Sequence, residues 1–277
     1  MESTPIFKLA TYNCNSIRAR LALIKRWLEA HGPDVLFLQE TKVQDKDFPA
    51  MDLEELGYNV IYKGQKSYNG VAILSRAEAR DVRDSLGPGY EEARFLSAVI
   101  EGVPMLNVYV PQGVCPESEK FQYKLDWLRA LRQHLAAHYS PSEPLILAGD
   151  FNVALEPRDV YDPEGLDGQV GFHPVERQAM RELLEWGLRD LLRLHHHSGG
   201  LYTFWDYRIP NALKRKMGWR IDYILATEPL AQKCTWVWID EEARGGKKPS
   251  DHTFLVAEFN LELTAHITQS LDLPGRA

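Results

Sequence analysis

The chain has 277 residues, of which 44% are hydrophobic and 26% are charged, and its formal net charge is -7. This is an ordinary globular composition, and the acidic balance excludes a protein that holds nucleic acid through its overall charge. A site for a polyanion must therefore be a local basic patch over a carboxylate-rich pocket. The three cysteines form no CxxC pair and support neither a disulfide framework nor a zinc site, so we expect a protein of the reducing cytoplasm.

Apolar runs and helical periodicity alternate along the chain, which is typical of an α/β protein. The apolar runs predict strands over residues 6–13, 34–40, 71–76, 95–102, 104–110, 144–152, 220–227, 235–240 and 252–259. Apolar residues that recur every three to four positions predict helices over residues 18–31, 119–139 and 175–194.

The order of these elements is not interrupted by a Pro/Gly-rich linker, a low-complexity tract or an internal repeat. We therefore expect one domain over residues 1–277, with a core over about 6–262 and a short C-terminal tail. The first residues run directly into a strand-like segment, and nowhere do about eighteen apolar residues follow one another. We expect a protein that is neither secreted nor membrane-spanning.

One long irregular stretch, EPRDVYDPEGLDGQVGFHP, covers residues 156–174. A loop of this length in a compact domain is more often functional than idle. Its prolines and glycines predict an ordered loop.

Three consecutive histidines, His195, His196 and His197, invite a metal assignment. They end the third predicted helix and precede SGG, so a frayed, solvated helix terminus explains them, and histidine is favourable at the C-terminal dipole. We exclude them from the predicted site.

Polar side chains stand at nearly every predicted strand end. A Ser-Asp-His triplet by itself, as in PSDH, is explained by a capped loop. Strand ends at one edge of a sheet are where a site assembles in α/β proteins, and turn preferences do not explain so many ends together. The residues are Asn13, Asn15, Glu40, Tyr109, Asp150, Asn152, Asp222, Asp251 and His252.

The residue types indicate hydrolysis of a phosphate ester. Hard oxygen ligands without cysteine suit magnesium or manganese, and Glu40 and Asp251 are the ligands that we expect. Asp222 is the expected carboxylate partner of the His252 imidazole. Asp150 and Asn152 are two residues apart and point to the same side. The Asp150 carboxylate can thus bind the nucleophilic water next to the Asn152 amide, which donates hydrogen bonds to the phosphoryl oxygens.

Eight motifs between Ala10 and Phe259 resemble, in order, those of the exonuclease III family of apurinic/apyrimidinic endonucleases, within the deoxyribonuclease I-like superfamily of metal-dependent phosphodiesterases. They are TYNCNSIRAR, LFLQETK, YNGVAILSR, NVYVPQG, GDFN, YTFWDYR, GWRIDYILAT and PSDH. GDFN and SDH are shared by the whole superfamily, including phosphoinositide phosphatases, sphingomyelinases and deadenylases. The DNA-repair assignment rests on NVYVPQG and on the pair YTFWDYR and GWRID.

The resemblance implies an α/β fold, a four-layered α/β sandwich with two mixed β-sheets packed face to face and helices outside. It also implies cleavage of duplex DNA 5′ to abasic sites, together with 3′-5′ exonuclease and 3′-end-cleaning activity. The expected partner is double-stranded DNA with abasic sites or blocked 3′ ends, and the expected cofactor is Mg²⁺, with Mn²⁺ as a substitute. We expect a monomer that binds no membrane.

The resemblance also assigns roles to the polar residues. Glu40 is the metal carboxylate, with Asn15 and Asp251 close to the ion. Asn13 and Asp222 orient the centre, and Asp222 holds His252. Asp150 either activates the attacking water or protonates the leaving 3′ oxygen, and the number of metal ions, one or two, is open. The residues that contact the scissile phosphate are Tyr109, Asn152 and His252.

Further positions match residues that touch the DNA backbone in the family, and such contacts position a duplex without reading its sequence. These positions are Lys42, Tyr68, Asn69, Gly70 and Gln112. The basic run between two of the motifs is a second candidate DNA surface, although a solvated helix face is the ordinary explanation of such a run. Its residues are Arg208, Lys214, Arg215, Lys216 and Arg220.

Phe204, Trp219 and Ile221 match the walls of the pocket that accepts a flipped, base-less sugar in the family, and plain core packing is the alternative for the two aromatic residues. Gly171 is small enough to leave room near that pocket.

This sequence departs from the family at the positions that push side chains into the duplex, which are Cys115 and Arg208 here, and in the segment IPNALKRKM. The balance among endonuclease, exonuclease and 3′-phosphatase activities is therefore open. Two alternatives also stay open: another metal-dependent phosphodiesterase or phosphatase of the superfamily, and a binding protein that has lost catalysis.

Overall fold

The computed structural model describes residues 6–260. Within them, two six-stranded mixed sheets account for all the named strands. In spatial order, the first sheet contains β11 (Cys234–Asp240), β12 (Phe254–Asn260), β1 (Ile6–Asn13), β2 (Val35–Gln39), β4 (Val71–Ser75) and β3 (Asn59–Lys63). The second contains β5 (Ala79–Arg83), β6 (Phe95–Ile100), β7 (Val103–Tyr109), β8 (Ile146–Asp150), β10 (Asp222–Thr227) and β9 (Leu188–Asp190).

Helices cover the outer faces of both sheets. The longer ones are α1 (Ile17–His31), α3 (Glu119–His138) and α5 (Pro174–Glu185). Short helices complete the layers: α2 (Ala50–Glu54), α4 (Pro163–Leu166), α6 (Leu191–His195), α7 (Glu228–Ala231) and α8 (Glu241–Arg244).

The core has three layers of apolar contact because successive residues of a strand point to opposite faces. Leu9 and Phe37 of the first sheet pack against Met105 of the second, between the sheets. Residues of the first sheet that point outward pack on α1, and those of the second pack on α3 and α5. Helix, sheet, sheet and helix therefore form four layers, and the predicted fold class is confirmed.

The helix ends follow local chemistry. Ser118 caps α3, since its side-chain oxygen accepts a hydrogen bond from the Phe121 amide. Gly32 ends α1 with a φ of 53°, a left-handed conformation that costs glycine little, and its N–H donates to the Leu28 carbonyl.

The nine predicted strands and the first two predicted helices are present, but the single helix predicted over residues 175–194 is two helices, α5 and α6, with a short strand between them. Gly187 adopts a φ of 127°, which breaks the helix after α5. The next residues form β9, which pairs with β10 at the edge of the second sheet, and Asp190 then caps α6. The edge strands β3 and β5 were not predicted, because their half-buried or exposed residues lack a regular apolar pattern.

One of the three histidines at the end of α6 is less solvated than expected. His196 is half-buried, its Nε2 lies 2.6 Å from the Val237 carbonyl oxygen, and its ring meets Trp236 edge to face. The frayed, solvated terminus is thus wrong for His196.

The stretch over residues 156–174 is ordered, as predicted: it contains a 3-10 turn and α4, and Val160 forms a β-bridge with Trp219. The single-domain assignment stays a prediction, and residues 261–277 of the expected tail lie outside the described residues. Among residues 6–260, no helix has the length and apolar character needed to span a membrane.

Candidate active site

The topology brings polar strand ends from both sheets together. β1 and β2 are parallel, as are β7 and β8, so each pair ends side by side. β10 runs antiparallel to β8 and begins where β8 ends, with Asp222 opposite Asp150. β12 runs antiparallel to β1, so Asp251 and His252 reach the same end of the sandwich.

Asn13 joins the two sheets at this end. Its Nδ2 donates hydrogen bonds of 2.8 Å to Glu40 Oε1 and of 2.8 Å to Asp150 Oδ2. Asn13 and Asp150 are buried, so their polar atoms need such partners. The main chain of Asn13 is fixed as well, because its carbonyl accepts a hydrogen bond of 2.7 Å from the Ser250 hydroxyl.

His252 lies between two carboxylates. Its Nδ1 is 2.8 Å from Asp222 Oδ2, which is the predicted pairing, and its Nε2 is 3.8 Å from Asp150 Oδ2. Burial, the largest influence, lowers the pKa of the imidazole, but the charges of Asp222 and Asp150 outweigh it and raise that pKa to about 10. The imidazole is therefore a cation near neutral pH.

For Asp150, burial and the neighbouring negative charges together raise the pKa of the carboxyl group. Burial raises its pKa most, the charges of Asp222 and Glu40 raise it further, and His252 and Asn13 offset only part of this, so the pKa is about 7. A carboxyl group with such a pKa can accept or donate a proton near neutral pH.

The phenol and the amide expected to contact phosphate border the same carboxylates. Burial and the charges of Glu40 and Asp150 hold the pKa of the Tyr109 phenol well above its usual value. The Asn152 backbone N–H donates to Asp150 Oδ1 over 2.9 Å, and its side-chain amide donates to the Val110 carbonyl over 2.9 Å.

The three predicted metal ligands form one hydrogen-bonded chain with Lys42. Lys42 Nζ lies 2.7 Å from Glu40 Oε2 and donates to Asn15 Oδ1 over 2.6 Å. Asn15 Nδ2 donates to Asp251 Oδ1 over 3.0 Å. Burial alone raises the pKa of Glu40, but Lys42 and Asn13 outweigh it and hold that pKa below its usual value. Lys42, predicted as a DNA contact, therefore lies inside the site.

The donor set fits a divalent cation. One atom each from Glu40, Asp150 and His252 lie within 4.8 Å of one another, and among the described residues this is the one group of its kind. Because the His252 imidazole is protonated, the two carboxylates are the donors of this group. Asp222 Oδ1 is buried and has no hydrogen-bond partner among residues 6–260. Carboxylates in excess suit a hard cation. The histidines His195, His196 and His197 form no such group.

Strained backbone occurs at several positions of the site. Four residues of the site have left-handed φ angles, which non-glycine residues seldom adopt. They are Asn15 at 42°, Glu40 at 51°, Lys42 at 54° and Asn152 at 52°. Such conformations persist where the surroundings over-determine them, and they cluster at functional sites.

The loop before β4 supports the end of β2. The Lys42 N–H donates to the Asn69 carbonyl over 2.9 Å, and the Thr41 N–H donates to the Gly70 carbonyl over 3.2 Å. A Cβ at Gly70 would lie 2.0 Å from Thr41 Oγ1, so only glycine fits. Of the remaining predicted backbone contacts, Tyr68 is 71% exposed and Gln112 is exposed.

The basic run forms turns rather than the helix face that we weighed. Lys214, Arg215 and Lys216 are exposed, and within residues 6–260 their side chains make no ion pair. Arg208 is different, because its guanidinium is paired with Asp206 at 2.6 Å. Arg220 is fully buried, which makes a direct DNA contact wrong for this residue.

The structure brings Phe204, Trp219 and Ile221 together, and their role as pocket walls stays a prediction. They share an apolar cluster with Val160 and other residues of the long loop. Phe204 and Trp219 pair through two backbone hydrogen bonds of 2.9 Å, and both rings stay half-buried.

This cluster borders the polar site. The Phe204 ring centroid is 4.9 Å from that of His252. Gly171, with a φ of 91°, lies against Trp219, and a Cβ there would come within 3.1 Å of the indole.

Sequence reasoning missed residues that hold the loops of the site. Lys124 and Glu176 are both fully buried beneath it. Their signal was present, since each occupies an apolar position of its helix: Lys124 lies three residues from Phe121 and Trp127, and Glu176 lies four from Met180. Arg20 was also missed; its guanidinium donates to the Asn15 carbonyl over 2.7 Å and to the Pro249 carbonyl over 2.9 Å.

Known proteins share this architecture. The Endonuclease/Exonuclease/phosphatase family matches residues 10–252. Exodeoxyribonuclease III of Haemophilus influenzae is 34% identical over 266 residues, which cover 91% of this chain and 99% of that protein. The structure of an AP endonuclease from Archaeoglobus fulgidus superposes with a TM-score of 0.90 at 44% identity, covering 92% and 100% of the two chains.

A 3′ phosphatase from Neisseria, bound to a product DNA hairpin, superposes with a TM-score of 0.88 at 39% identity and covers 91% of this chain and 99% of that one. Matches of this length and identity, over the strands that carry the site, show that the chain belongs to the endonuclease/exonuclease/phosphatase family and, within it, to the exonuclease III family of nucleases.

Proposed function

We propose that the protein is a metal-dependent DNA-repair phosphodiesterase that cleaves duplex DNA 5′ to abasic sites and also trims and cleans 3′ ends. The observation that carries the proposal is the joint cluster at the sheet ends, where Asn13 links Glu40 to Asp150 and Asp222 holds His252. The relatives named exodeoxyribonuclease III, AP endonuclease and 3′ phosphatase support it. The protein acts as a monomer in the cytoplasm.

Mg²⁺, with Mn²⁺ as a substitute, is the proposed cofactor. Glu40 would hold it, with Asn15 and Asp251 beside it. When bound, the ion supplies positive charge to the scissile phosphate and to the oxygens around it. The support for this is a carboxylate-rich site in which, among residues 6–260, Lys42 is the one cationic side chain in an ion pair with Glu40.

The remaining site residues handle charge and protons. The His252 imidazolium, oriented by Asp222 through Nδ1, presents Nε2–H to the negative charge that grows on the phosphoryl oxygens. Asn152 and Tyr109 contact the same phosphate. Asp150, with a raised pKa, either takes the proton of the attacking water or gives one to the leaving 3′ oxygen.

The substrate surface surrounds this centre. Tyr68, Asn69, Gly70 and Gln112 are proposed backbone contacts, and the half-buried rings of Phe204 and Trp219, with Ile221, receive the flipped abasic sugar. The exposed Lys214, Arg215 and Lys216 extend the DNA path beyond the site.

The deciding experiment uses a duplex that bears one tetrahydrofuran abasic analogue. We expect magnesium-dependent cleavage immediately 5′ to the analogue, loss of cleavage in EDTA, and recovery with magnesium or manganese. A matched duplex with a 3′-phosphate measures the end-cleaning activity. Full activity in EDTA rules out the metal, and cleavage of neither duplex favours another phosphodiesterase of the family or a silent binding protein.

The basic run is tested by changing Lys214, Arg215 and Lys216 together to alanine. Since phosphate contacts carry no damage information, binding to damaged and undamaged duplex should weaken alike, and the log-log salt slope should fall by about 2 to 3. Trp219→Ala should leave that slope unchanged and reduce abasic cleavage. Fluorescence anisotropy across salt concentrations measures both; an unchanged slope in the triple variant places the DNA path elsewhere.

A further inference from the structure

A fully buried ammonium group lies beneath the site. Lys124, on α3, has no exposed side-chain surface, and neither has its ion-pair partner Glu176 on α5. Lys124 Nζ also donates to the Asn152 carbonyl over 2.7 Å and to the Gln112 carbonyl over 3.1 Å. Its three N–H donors thus have three acceptors, and two of these belong to loops of the site.

Glu176 continues the connection to a third loop. Its Oε1 accepts hydrogen bonds from the Gly171 amide over 2.5 Å and from the His173 amide over 2.9 Å. The Gly171 carbonyl in turn accepts from the Ala154 amide over 2.7 Å. One buried ion pair therefore joins the loop after β7, the loop after β8 and the long loop over residues 156–174.

Stability alone is a weak reason for such a pair. Apolar residues of similar volume often replace a buried ion pair without loss, because desolvation cancels much of the attraction. What distinguishes Lys124 is where its hydrogen bonds end. Asn152 has a φ of 52°, and its N–H donates to the Asp150 carboxylate, so the bond to its carbonyl fixes a strained residue at the reacting centre.

The Glu176 side of the pair ends at the aromatic pocket. Gly171 adopts a φ of 91° and lies against the Trp219 ring. A shift of the Glu176 carboxylate would release the Gly171 amide and with it the wall behind Trp219. Both ends of the ion pair thus reach groups that face the proposed substrate.

We infer that Lys124 and Glu176 are positioning residues, which hold Asn152 and Asp150 in register with the Gly171–Trp219 wall, so that the phosphate and the abasic sugar are aligned together. The inference rests on the proposed function for its kinetic readout. Neither side chain touches the substrate; each acts through the backbone groups that it binds.

The test compares Lys124→Met and Glu176→Gln with the double variant that carries both changes. Each single change leaves one buried charge without its partner and should lower the thermal midpoint. The double variant removes both charges and should recover most of that midpoint. It still lacks the hydrogen bonds to Asn152 and Gln112, so kcat on the abasic duplex should stay about 10²-fold below wild type with KM little changed. Recovery of both stability and kcat would show a purely structural pair and overturn the inference.

A double-mutant cycle with Asn152→Ala adds a readout that a structural role does not move. If Lys124 acts through Asn152, Asn152→Ala should cost far less kcat in the Lys124→Met/Glu176→Gln background than in wild type. Equal losses in the two backgrounds contradict the inference, because they mean that Asn152 functions independently of the ion pair.

Hydrogen–deuterium exchange separates this inference from the proposed function. In the double variant, the peptide that covers residues 150–154 should exchange faster than in wild type, because the Asn152 carbonyl loses its hydrogen bond from Lys124, while β4 should be unchanged. This measurement needs no substrate, so it decides the inference even if wild type leaves the abasic duplex intact. Unchanged exchange in this peptide refutes the positioning role.

Discussion

Arg220 and Asp222 are two residues apart at the start of β10, yet they belong to two different buried clusters of charged side chains. The Arg220 cluster pairs two arginines, Arg193 and Arg220, with two aspartates, Asp159 and Asp190. Its geometry is close: Arg220 Nε lies 2.7 Å from Asp159 Oδ1, and Arg220 Nη2 donates to Asp159 Oδ2 over 3.0 Å. Charge is balanced within the cluster.

The cluster around Asp222 is not balanced. Four carboxylates face two cationic groups: Glu40, Asp150, Asp222 and Asp251 against Lys42 and His252. Burial raises the pKa of an aspartate in both clusters. Arg220 and Arg193 outweigh it and lower the pKa of Asp159, whereas the pKa of Asp150 stays raised. The first cluster stabilises the loop on which the pocket rests; the second keeps an excess of negative charge for a metal ion and proton transfer.

The largest effect is expected in the unbalanced cluster, on rate. His252→Asn should lower kcat by about 10²–10⁴-fold, because the imidazolium interacts mainly with charge that grows in the transition state. Duplex affinity should stay nearly unchanged. Single-turnover cleavage and anisotropy measure the two quantities, and the control is His196→Asn, which removes a half-buried imidazole that contacts Trp236 and the Val237 carbonyl. An equal loss of rate and affinity moves His252 to a binding role.

The balanced cluster should respond through stability. Arg220→Met leaves Asp159 with one arginine and Asp190 with none, so it should lower the free energy of unfolding by about 3–5 kcal/mol. Arg208→Met is the matched control, since Arg208 makes a similar pair with Asp206 on the surface and should cost about 0–1 kcal/mol. Urea denaturation measures both. Similar losses would mean that burial does not separate the two pairs.

The unbalanced cluster was largely predictable from sequence and the balanced one was not. Asn13, Glu40, Asp150 and His252 stand at the ends of apolar strands, and the sheets bring these ends together. Asp159 lies in an irregular loop, and its partner Arg220 is 61 residues away in a run that looks like a basic surface. Sequence pattern does not report a pairing over that separation.

The same limit explains the remaining differences. Lys124 and Glu176 look like surface charges in amphipathic helices, although each replaces an apolar residue on the buried face. Gly187 breaks the helix although the apolar period of the sequence continues past it. The edge strands carry half-exposed residues without a regular apolar pattern. Local pattern predicted the nine strands and the long helices, and the family resemblance predicted the four layers. Contacts between residues distant in sequence decided the remaining details.

Neutralising one aspartate in each cluster should change the free energy of unfolding in opposite directions. Without metal, Asp150→Asn should raise the free energy of unfolding at pH 7 by about 1–2 kcal/mol, as stabilising changes at functional sites do. Asp159→Asn, the control, should lower it, because it breaks the pairs with Arg220 and Arg193.

The pH dependence follows from the raised pKa of Asp150. Between its unfolded pKa of about 4 and its folded pKa of about 7, the folded state binds more protons than the unfolded state, so wild-type stability should fall as pH rises through this window. Asp150→Asn should remove this component. Urea titrations in EDTA from pH 4 to 8 test it, and an unchanged slope in the variant assigns the component to another group.

The smallest expected effect concerns Lys42, the cation that partly offsets the unbalanced cluster. Its ammonium lies 2.7 Å from Glu40 Oε2. A divalent ion bound by Glu40 would need the same carboxylate charge, so the ammonium and the ion compete for it. Removing the ammonium should therefore leave the carboxylates freer to bind metal, and Lys42→Met should tighten binding of Mn²⁺ by about tenfold. Calorimetric titration of the DNA-free protein measures this without any assay of cleavage. Lys66→Met, which removes an exposed lysine of the neighbouring loop and changes net charge equally, controls for long-range charge. Weaker binding in Lys42→Met would contradict the competition, since it would mean that Lys42 instead holds Glu40 in the orientation that the ion requires.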